Sequence, residues 1–259
     1  MALPDHIVLR AHEYTLGDIR EVELPISTEY QFTLNLNGRP YVAIACSGAD
    51  LSCLAVGHLL SDGVIASSSD ISDIRIDEEN LLIDVVTADT DAVVERLMAV
   101  KTIASGCGQP TGAITVPAAG NEAMPRLRAD EVLACMKEFL RSSALHTLTH
   151  GVHSAALNRF SGERIAFFDE IGRHNAIDKA LGYALLNGIP LYDKMITTTG
   201  RLASEIVQKI IAASVPVIVS RAVPTSRSVE LARRYNVIMI GRIRTGGFHI
   251  FHGWENIIC

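Results

Sequence analysis

Two short apolar runs, 30–36 and 40–46 in "EYQFTLNLNGRPYVAIAC", flank Asn37-Gly38. That arrangement predicts a β-hairpin, because a two-residue turn needs positive φ at both central positions and Asn-Gly supplies it. Residues 1–48 as a whole read as β structure. "GADLSCLAVGHLLSDGVI" then changes to helical spacing: Leu51, Leu54, Ala55, His58 and Leu59 fall on one face, and Ser47 or Asp50 is placed to cap the start. A strand pair at about 71–76 and 81–87 follows, then a helix near 89–100. A glycine loop, 105–112, and a Pro/Gly/Ala link, 116–125, lead to a helix beginning at Asp130.

The second half alternates. Strand "RIAFFD" leads to helix "RHNAIDKALGYALLNG", strand "DKMITTTG" to helix "RLASEIVQKIIAAS", and strand "VPVIVS" to helix "PTSRSVELARRY". Strands "NVIMIG" and "GGFHIFHG" close the series. Short apolar strands alternating with helices predict crossover units and a largely parallel sheet. "THGVHSAAL" reads as the start of a further helix.

Composition narrows the class. The chain has 259 residues, enough for one large domain or two small ones, and 48% hydrophobic residues, which argues for a packed core. A net charge of −6 excludes a chain-wide nucleic-acid surface, so an anionic ligand needs a local cluster of donors. No apolar run reaches the roughly 20 residues of a bilayer span. The start, "MALPDHIVLRAHEY", lacks a basic segment followed by an apolar run, so no secretory signal is expected. Five irregularly spaced cysteines argue against a disulfide framework and for a reducing compartment.

In a parallel α/β sheet, ligands bind beyond the carboxyl ends of the strands. There stand "DEIGRHNA" (169–176), "TTTGRLAS" (197–204) and "SRAVPTS" (220–226), each with an arginine at a helix start: Arg173, Arg201 and Arg221. "GRIRTGGF" adds Arg242 and Arg244 after the fourth strand. Helix starts with free N–H groups and arginines suit a polyanion such as a nucleotide or pyrophosphate; equally, strand–helix turns are polar anyway. Asp169, Glu170, His174 and Asp178 fall within ten residues, with His174 and Asp178 four apart on one helix face; they form either an acid–base or ligand-orienting cluster or an ordinary helix start with acidic residues suited to the dipole. His150, His153 and Ser154 could pair with Cys107, but no C-x-x-C exists to make a zinc site. Cys107 itself lies between Gly106 and Gly108, where a partner can approach its sulfur closely, and is the candidate nucleophile. Cys46, Cys53 and Cys135 fall in strand or helix patterns and read as core; Cys259 is terminal.

"GVHSAAL…GERIAFFDEIGRHNAIDKALGYALLNG", "TTGRLASEIVQK", "VPVIVSRAVPTSRSVELA" and "IGRIRTGGFHIF" resemble, in order, the FdhD family, the accessory sulfurtransferases of formate dehydrogenase. "SGCG" around Cys107 and the "DGVI" after the first helix fit the same family. The resemblance implies an α/β fold: a cytidine-deaminase-like larger domain, 126–259, with a mixed, largely parallel sheet between helices. It also implies a smaller α+β domain, 1–104, and a mobile cysteine loop and link, 105–125. It implies a cytoplasmic homodimer whose Cys107 carries sulfur, as a persulfide, from a cysteine desulfurase to the bis-molybdopterin guanine dinucleotide molybdenum cofactor for formate dehydrogenase. The implied cofactor-binding stretch is Arg242, Ile243, Arg244, Thr245, Gly246 and Gly247. The strand-end residues Arg173, His174, Gly200, Arg201, Ser220 and Arg221 join it, with GDP as a stand-in for one nucleotide arm. No metal ligand, nucleic acid or membrane is expected. Pro110 stands where many members have a second cysteine, and Arg242 where they usually have an aromatic residue. A chaperone that holds the cofactor without sulfur transfer is therefore the alternative; a Cys/His hydrolase using Cys107 and His153 is a third reading.

Overall fold

The computed structural model of the protein describes residues 3–89, 91 and 124–259. The helix expected near 89–100 falls almost wholly outside them. The loop 105–112, with Cys107, and the link as far as residue 123 fall wholly outside. The chain opens with an antiparallel hairpin, β1 (His6–Thr15) and β2 (Asp18–Ser27). The Asn37-Gly38 hairpin forms as expected between β3 (Tyr30–Leu36) and β4 (Arg39–Cys46), with φ of 51° and 74° at the two turn residues. After α1 (Leu51–Ser61), β5 (Ile71–Asp77) and β6 (Leu82–Thr87) complete a four-stranded sheet in the order β4-β3-β6-β5.

The second sheet is built from β8 (His153–Arg159), β9 (Arg164–Glu170), β10 (Lys194–Thr198), β11 (Val217–Ser220), β12 (Ile238–Arg244) and β13 (Gly247–His252), in the order β13-β12-β11-β10-β8-β9. Its helices are α2 (Ala129–Phe139), α3 (Ala144–Thr149), α4 (Arg173–Leu186), α5 (Ser204–Ala212) and α6 (Ser226–Arg234). A short parallel pair, β7 (Leu127–Arg128) and β14 (Ile257–Ile258), lies beside it.

The sheet is mixed, but less parallel than the alternation predicts. Only β10–β11 and β11–β12 are parallel; β10–β8, β8–β9 and β12–β13 are antiparallel. The cause is β8, which the sequence reading takes for a helix start. Ser154, Ala155, Ala156, Leu157 and Asn158 are all buried, because β8 lies between β10 and β9 with cover on both faces. A strand covered on both faces loses the apolar–polar alternation that identifies strands. Four residues then join β8 to β9, and so short a connection permits only an antiparallel pair.

Alternation does sort the sheet into two cores. Ala155, Leu157, Ile196, Ile218 and Met239 point to one side, where α1, α4, α5, α6 and the four-stranded sheet pack against them. Ala156, Met195, Val217, Val219, Ile238 and Ile240 point to the other, under Val132, Met136 and Phe139 of α2. Residues of 1–89 and of 155–239 thus share one hydrophobic cluster. Within it, α1 and α4 touch backbone to backbone. A Cβ on Gly57 would stand 1.7 Å from the Asp178 carbonyl oxygen, and one on Gly182 would stand 1.9 Å from that of Cys53.

The capping expected for α1 is replaced. Asp50 occupies the cap position in the left-handed region, φ 50°, and its side chain caps nothing. Ser47 instead turns to Glu170, as described below. Among the described residues no helix is long and apolar enough to cross a membrane.

Candidate anion-binding cleft

β9 and β10 run in the same direction, because each is antiparallel to β8 between them. The carboxyl ends of β9, β10, β11 and β12 therefore reach one edge of the sheet, and the amino end of β8 joins them there. Backbone bonds stitch the loops at this edge together. Arg221 donates its N–H to the Thr198 carbonyl at 3.2 Å, and Arg242 donates to that of Ala222 at 2.7 Å. The Ser220 hydroxyl donates to the Gly200 carbonyl at 2.7 Å and accepts the Ala222 N–H at 2.9 Å.

Over this edge lies a cleft in two parts that share Leu140 and Arg221. The larger, about 820 Å³, is walled by Leu133, Ala134, Lys137, Leu140 and Arg141 from α2 and its end, and by Arg221, Ile243, Arg244, Thr245 and Gly246. Four of these side chains are cationic and none is a carboxylate. Among the described residues, Lys137, Arg141, Arg221 and Arg244 make no ion pair. Like charges gathered without counter-ions repel one another and are relieved by an incoming anion. A break in the β12–β13 register between Gly241 and Arg244 shapes this wall. Arg242 sits there at φ 53°, and the next residues alternate as buried Ile243 and exposed Arg244. A bulge re-aims a strand's side chains in this manner.

The smaller part, about 560 Å³, is lined by His146, His150, His153, Ser143, Ser154, Thr199, Arg221 and apolar neighbours. Asp169 lies against it and accepts both the Ser154 hydroxyl, at 2.6 Å, and the Ser143 hydroxyl, at 2.8 Å. His153 meets the Thr199 hydroxyl at 3.3 Å. Burial, and then the Arg173 charge, hold the His153 pKa below the ordinary histidine value. A neutral imidazole leaves one ring nitrogen free to accept a proton. Among the described residues no group of three or more His, Cys, Asp or Glu could hold a metal ion.

Two buried networks fix the edge from below. Lys179 and Glu170, both fully buried, pair at 2.6 Å; Glu170 also accepts the Ser47 and Ile171 N–H groups, each at 2.8 Å, and the Ser47 hydroxyl at 3.0 Å. Asp178 accepts Lys209 at 2.8 Å and the Ser61 hydroxyl at 2.7 Å. Burial alone would raise the Asp178 pKa, but Lys209 and His58 together bring it below the usual carboxylate value.

The expected site residues divide accordingly. Arg221, Ile243, Arg244, Thr245 and Gly246 come together in the larger part. Arg201, Arg242, Gly247 and His174 line neither part. The Ser220 hydroxyl and the Gly200 carbonyl bond each other. Arg173 packs beneath Gly200, whose Cβ would lie 2.8 Å from that of Arg173, and its buried Nε has no partner among the described residues. The His174 pKa is lowered chiefly by burial, then by Arg173. Cys107 lies outside the described residues. Burial pushes the Cys46, Cys53 and Cys135 thiols up to about 11, which leaves them protonated and unreactive at neutral pH. Lys137, Arg141 and His146 are the cleft residues that sequence reasoning misses. The one signal is the i, i+4 spacing of Lys137 and Arg141, which means little until α2 is known to roof the cleft.

A mixed sheet packed against helices, with a cationic cleft at the edge where strands end, defines an α/β protein. The particular family follows from comparison with known proteins: the chain belongs to the FdhD/NarQ family, whose model matches residues 27–258. It is 31% identical over 251 residues to the sulfur carrier protein FdhD of Bacillus subtilis (strain 168), covering 94% of each chain. It is 32% identical over 266 residues to that of Listeria monocytogenes serovar 1/2a (strain ATCC BAA-679 / EGD-e), covering 99% of this chain and 100% of the relative. A crystal structure from Desulfotalea psychrophila, described as a formate dehydrogenase accessory protein, superposes with a TM-score of 0.82 at 26% identity, over 98% of this chain and 100% of that one.

Proposed function

We propose that the protein is a sulfur carrier serving formate dehydrogenase. It takes sulfur from a cysteine desulfurase as a persulfide on Cys107 and passes it to the bis-molybdopterin guanine dinucleotide molybdenum cofactor, its substrate, held in the cleft. The observation that carries this reading is the cleft itself: four cations, no carboxylate, and Arg221 common to both parts. The names of the relatives, sulfur carrier protein and formate dehydrogenase accessory protein, support the same assignment. The donor set of the larger part fits a guanine nucleotide arm, whose pyrophosphate needs cationic donors. In the loading step the Cys107 thiolate attacks the outer sulfur of the desulfurase persulfide, and the desulfurase thiolate leaves with the bonding pair. A cytoplasmic homodimer belongs to the same reading.

Pro110, in place of a second motif cysteine, favours one alternative, a chaperone that binds the cofactor without transfer. Mass spectrometry after incubation with a desulfurase and cysteine tests the choice. A gain of about 32 Da on Cys107, absent from Cys107→Ala, is the expected result. No gain in the wild type, together with full rescue of formate dehydrogenase activity by Cys107→Ala, leaves the chaperone.

A further inference from the structure

α3 (Ala144–Thr149) forms one wall of the smaller part of the cleft, which His146 and the following His150 and Gly151 line. It is held there without a core. None of its six residues is buried; Leu148 is 46% exposed, and neither Leu145 nor Leu148 belongs to either hydrophobic cluster. So short a helix is not stable in water by its own hydrogen bonds. Two hydroxyl pegs fasten it instead. At the amino end the buried Ser143 hydroxyl accepts the His146 N–H at 2.8 Å and donates to Asp169 at 2.8 Å. At the carboxyl end the Thr149 hydroxyl donates to the Leu145 carbonyl at 2.9 Å, so in its 2.8 Å bond with Ser27 the Ser27 hydroxyl is the donor. Both pegs rest on fixed bodies: the Asp169 carbonyl accepts Lys179 of the buried pair at 3.4 Å, and Ser27 ends β2 opposite His6. The chain on either side is fixed as well. Ser142 donates to the Glu138 carbonyl at 2.9 Å where α2 ends, and Val152 is buried just before β8. Between α3 and Val152 lie His150, left-handed at φ 53°, and the exposed Gly151.

We propose that α3 is a strap that gates the smaller part. It swings outward about Ser142–Ser143 and His150–Gly151 when the two pegs part, uncovers His153, Ser154 and Thr199 at the sheet edge, and covers them again when the pegs re-form. Hinges of this kind are a few residues at element ends that absorb the change in φ and ψ. A segment with few buried contacts and few bonds to break sits at the low-stability end of a fold. The peg chemistry suits repeated opening, because each hydroxyl exchanges its partner for water at a small net cost. The larger part has no such cover: its wall is α2, which is anchored in the core by Val132, Met136 and Phe139. A ligand held by its anionic end in the larger part thus meets, past Arg221, a compartment that opens for the remainder and closes over it. That order of events rests on the proposed function; the gate itself rests on the strap alone.

Hydrogen exchange and histidine modification of the full chain test the proposal. At about pH 7.5, where imidazoles are mainly neutral, diethyl pyrocarbonate acylates accessible histidines, and mass spectrometry of the peptides reads each one. In the wild type, amides 146–150 should exchange roughly tenfold or more faster than those of α2. His153 should be modified roughly tenfold or more slowly than the exposed His146 and His150. Ser143→Ala and Thr149→Val each remove one peg. Both should speed the exchange of amides 146–150 and the modification of His153 together, by about tenfold, with the α2 and β8 amides unchanged. Ser143→Thr keeps the hydroxyl and should behave as the wild type. Strap amides that exchange in step with those of α2 overturn the proposal, because α3 then belongs to the rigid body. A His153 as reactive as His146 in the wild type also overturns it, as does one whose modification fails to rise with strap exchange in the variants. GDP binding and the mass gain on Cys107 are read on the same samples; their failure bears on the sulfur-carrier reading and leaves the gate standing.

Discussion

Arg221 is the residue on which the cleft turns. It is the one charged side chain common to both parts, it is exposed, and its backbone N–H is anchored to Thr198. Losing one charged hydrogen bond costs about 1.5–3 kcal/mol. Arg221→Ala should therefore weaken GDP binding roughly ten- to hundredfold by calorimetry, with an unchanged melting temperature. Arg201→Ala, equally exposed but lining neither part, should bind GDP as the wild type does. Equal losses in both variants would place the anion elsewhere. Arg201 and Arg221 look alike in the sequence, each an arginine just past a strand. What separates them is the loop after β11, which turns Arg221 toward α2, and no local pattern encodes that. The core role of Cys46 and Cys135 is legible from their strand and helix positions, and burial bears it out; Cys53, read as core with them, is only half-buried.

At the scale of elements, the joint between α1 and α4 governs how the two parts of the chain meet. Gly57 and Gly182 allow contact between backbones, and any larger residue must push the helices apart. Overpacking of a tight core costs typically 1–3 kcal/mol, and Gly57→Ala, with a backbone oxygen 1.7 Å from the new methyl, belongs at or above the top of that range. The expected outcome is a lower urea midpoint at unchanged slope. An unchanged midpoint would show that the helices are not in contact. Opposing this, alanine has the better helix propensity by about 1 kcal/mol, so a stabilised variant is the result that would count most heavily against the packing. Strands bounded by turns, such as β3 and β4, were readable because one side of each hairpin faces less cover. β8 was not, because burial on both faces removed its period. The cationic wall from α2 was hidden for the converse reason: Lys137 and Arg141 look like an ordinary solvated helix end until the sheet edge is placed opposite them.

For the whole molecule, the histidines set a pH dependence. His153 and His174 both have folded-state pKa values below the ordinary value, burial being the larger cause and Arg173 the next. The unfolded chain takes up these protons near pH 6.5, while the folded protein resists them until lower pH. Stability is thus fully present above about pH 6.5 and declines as pH falls through the folded values. The melting temperature should drop on acidification across that window, and His174→Gln should lessen the drop. A profile of the same slope in His174→Gln would remove that residue from the account.

The sequence by itself determined the α/β class, the Asn37-Gly38 hairpin, the alternation of β9 to β12 with their helices, and the sheet edge at which Arg173, Arg201 and Arg221 gather. These follow from local rules: turn chemistry, side-chain periodicity and the placement of helix starts beyond strands. The tertiary structure alone decided that β8 enters the sheet antiparallel and that α2 supplies half of the cationic wall. It alone decided that Glu170 and Lys179 form a buried pair reaching Ser47, 123 residues from Glu170. Each of these depends on which surfaces meet across long sequence separations, and a side chain's local pattern does not record what will lie opposite it.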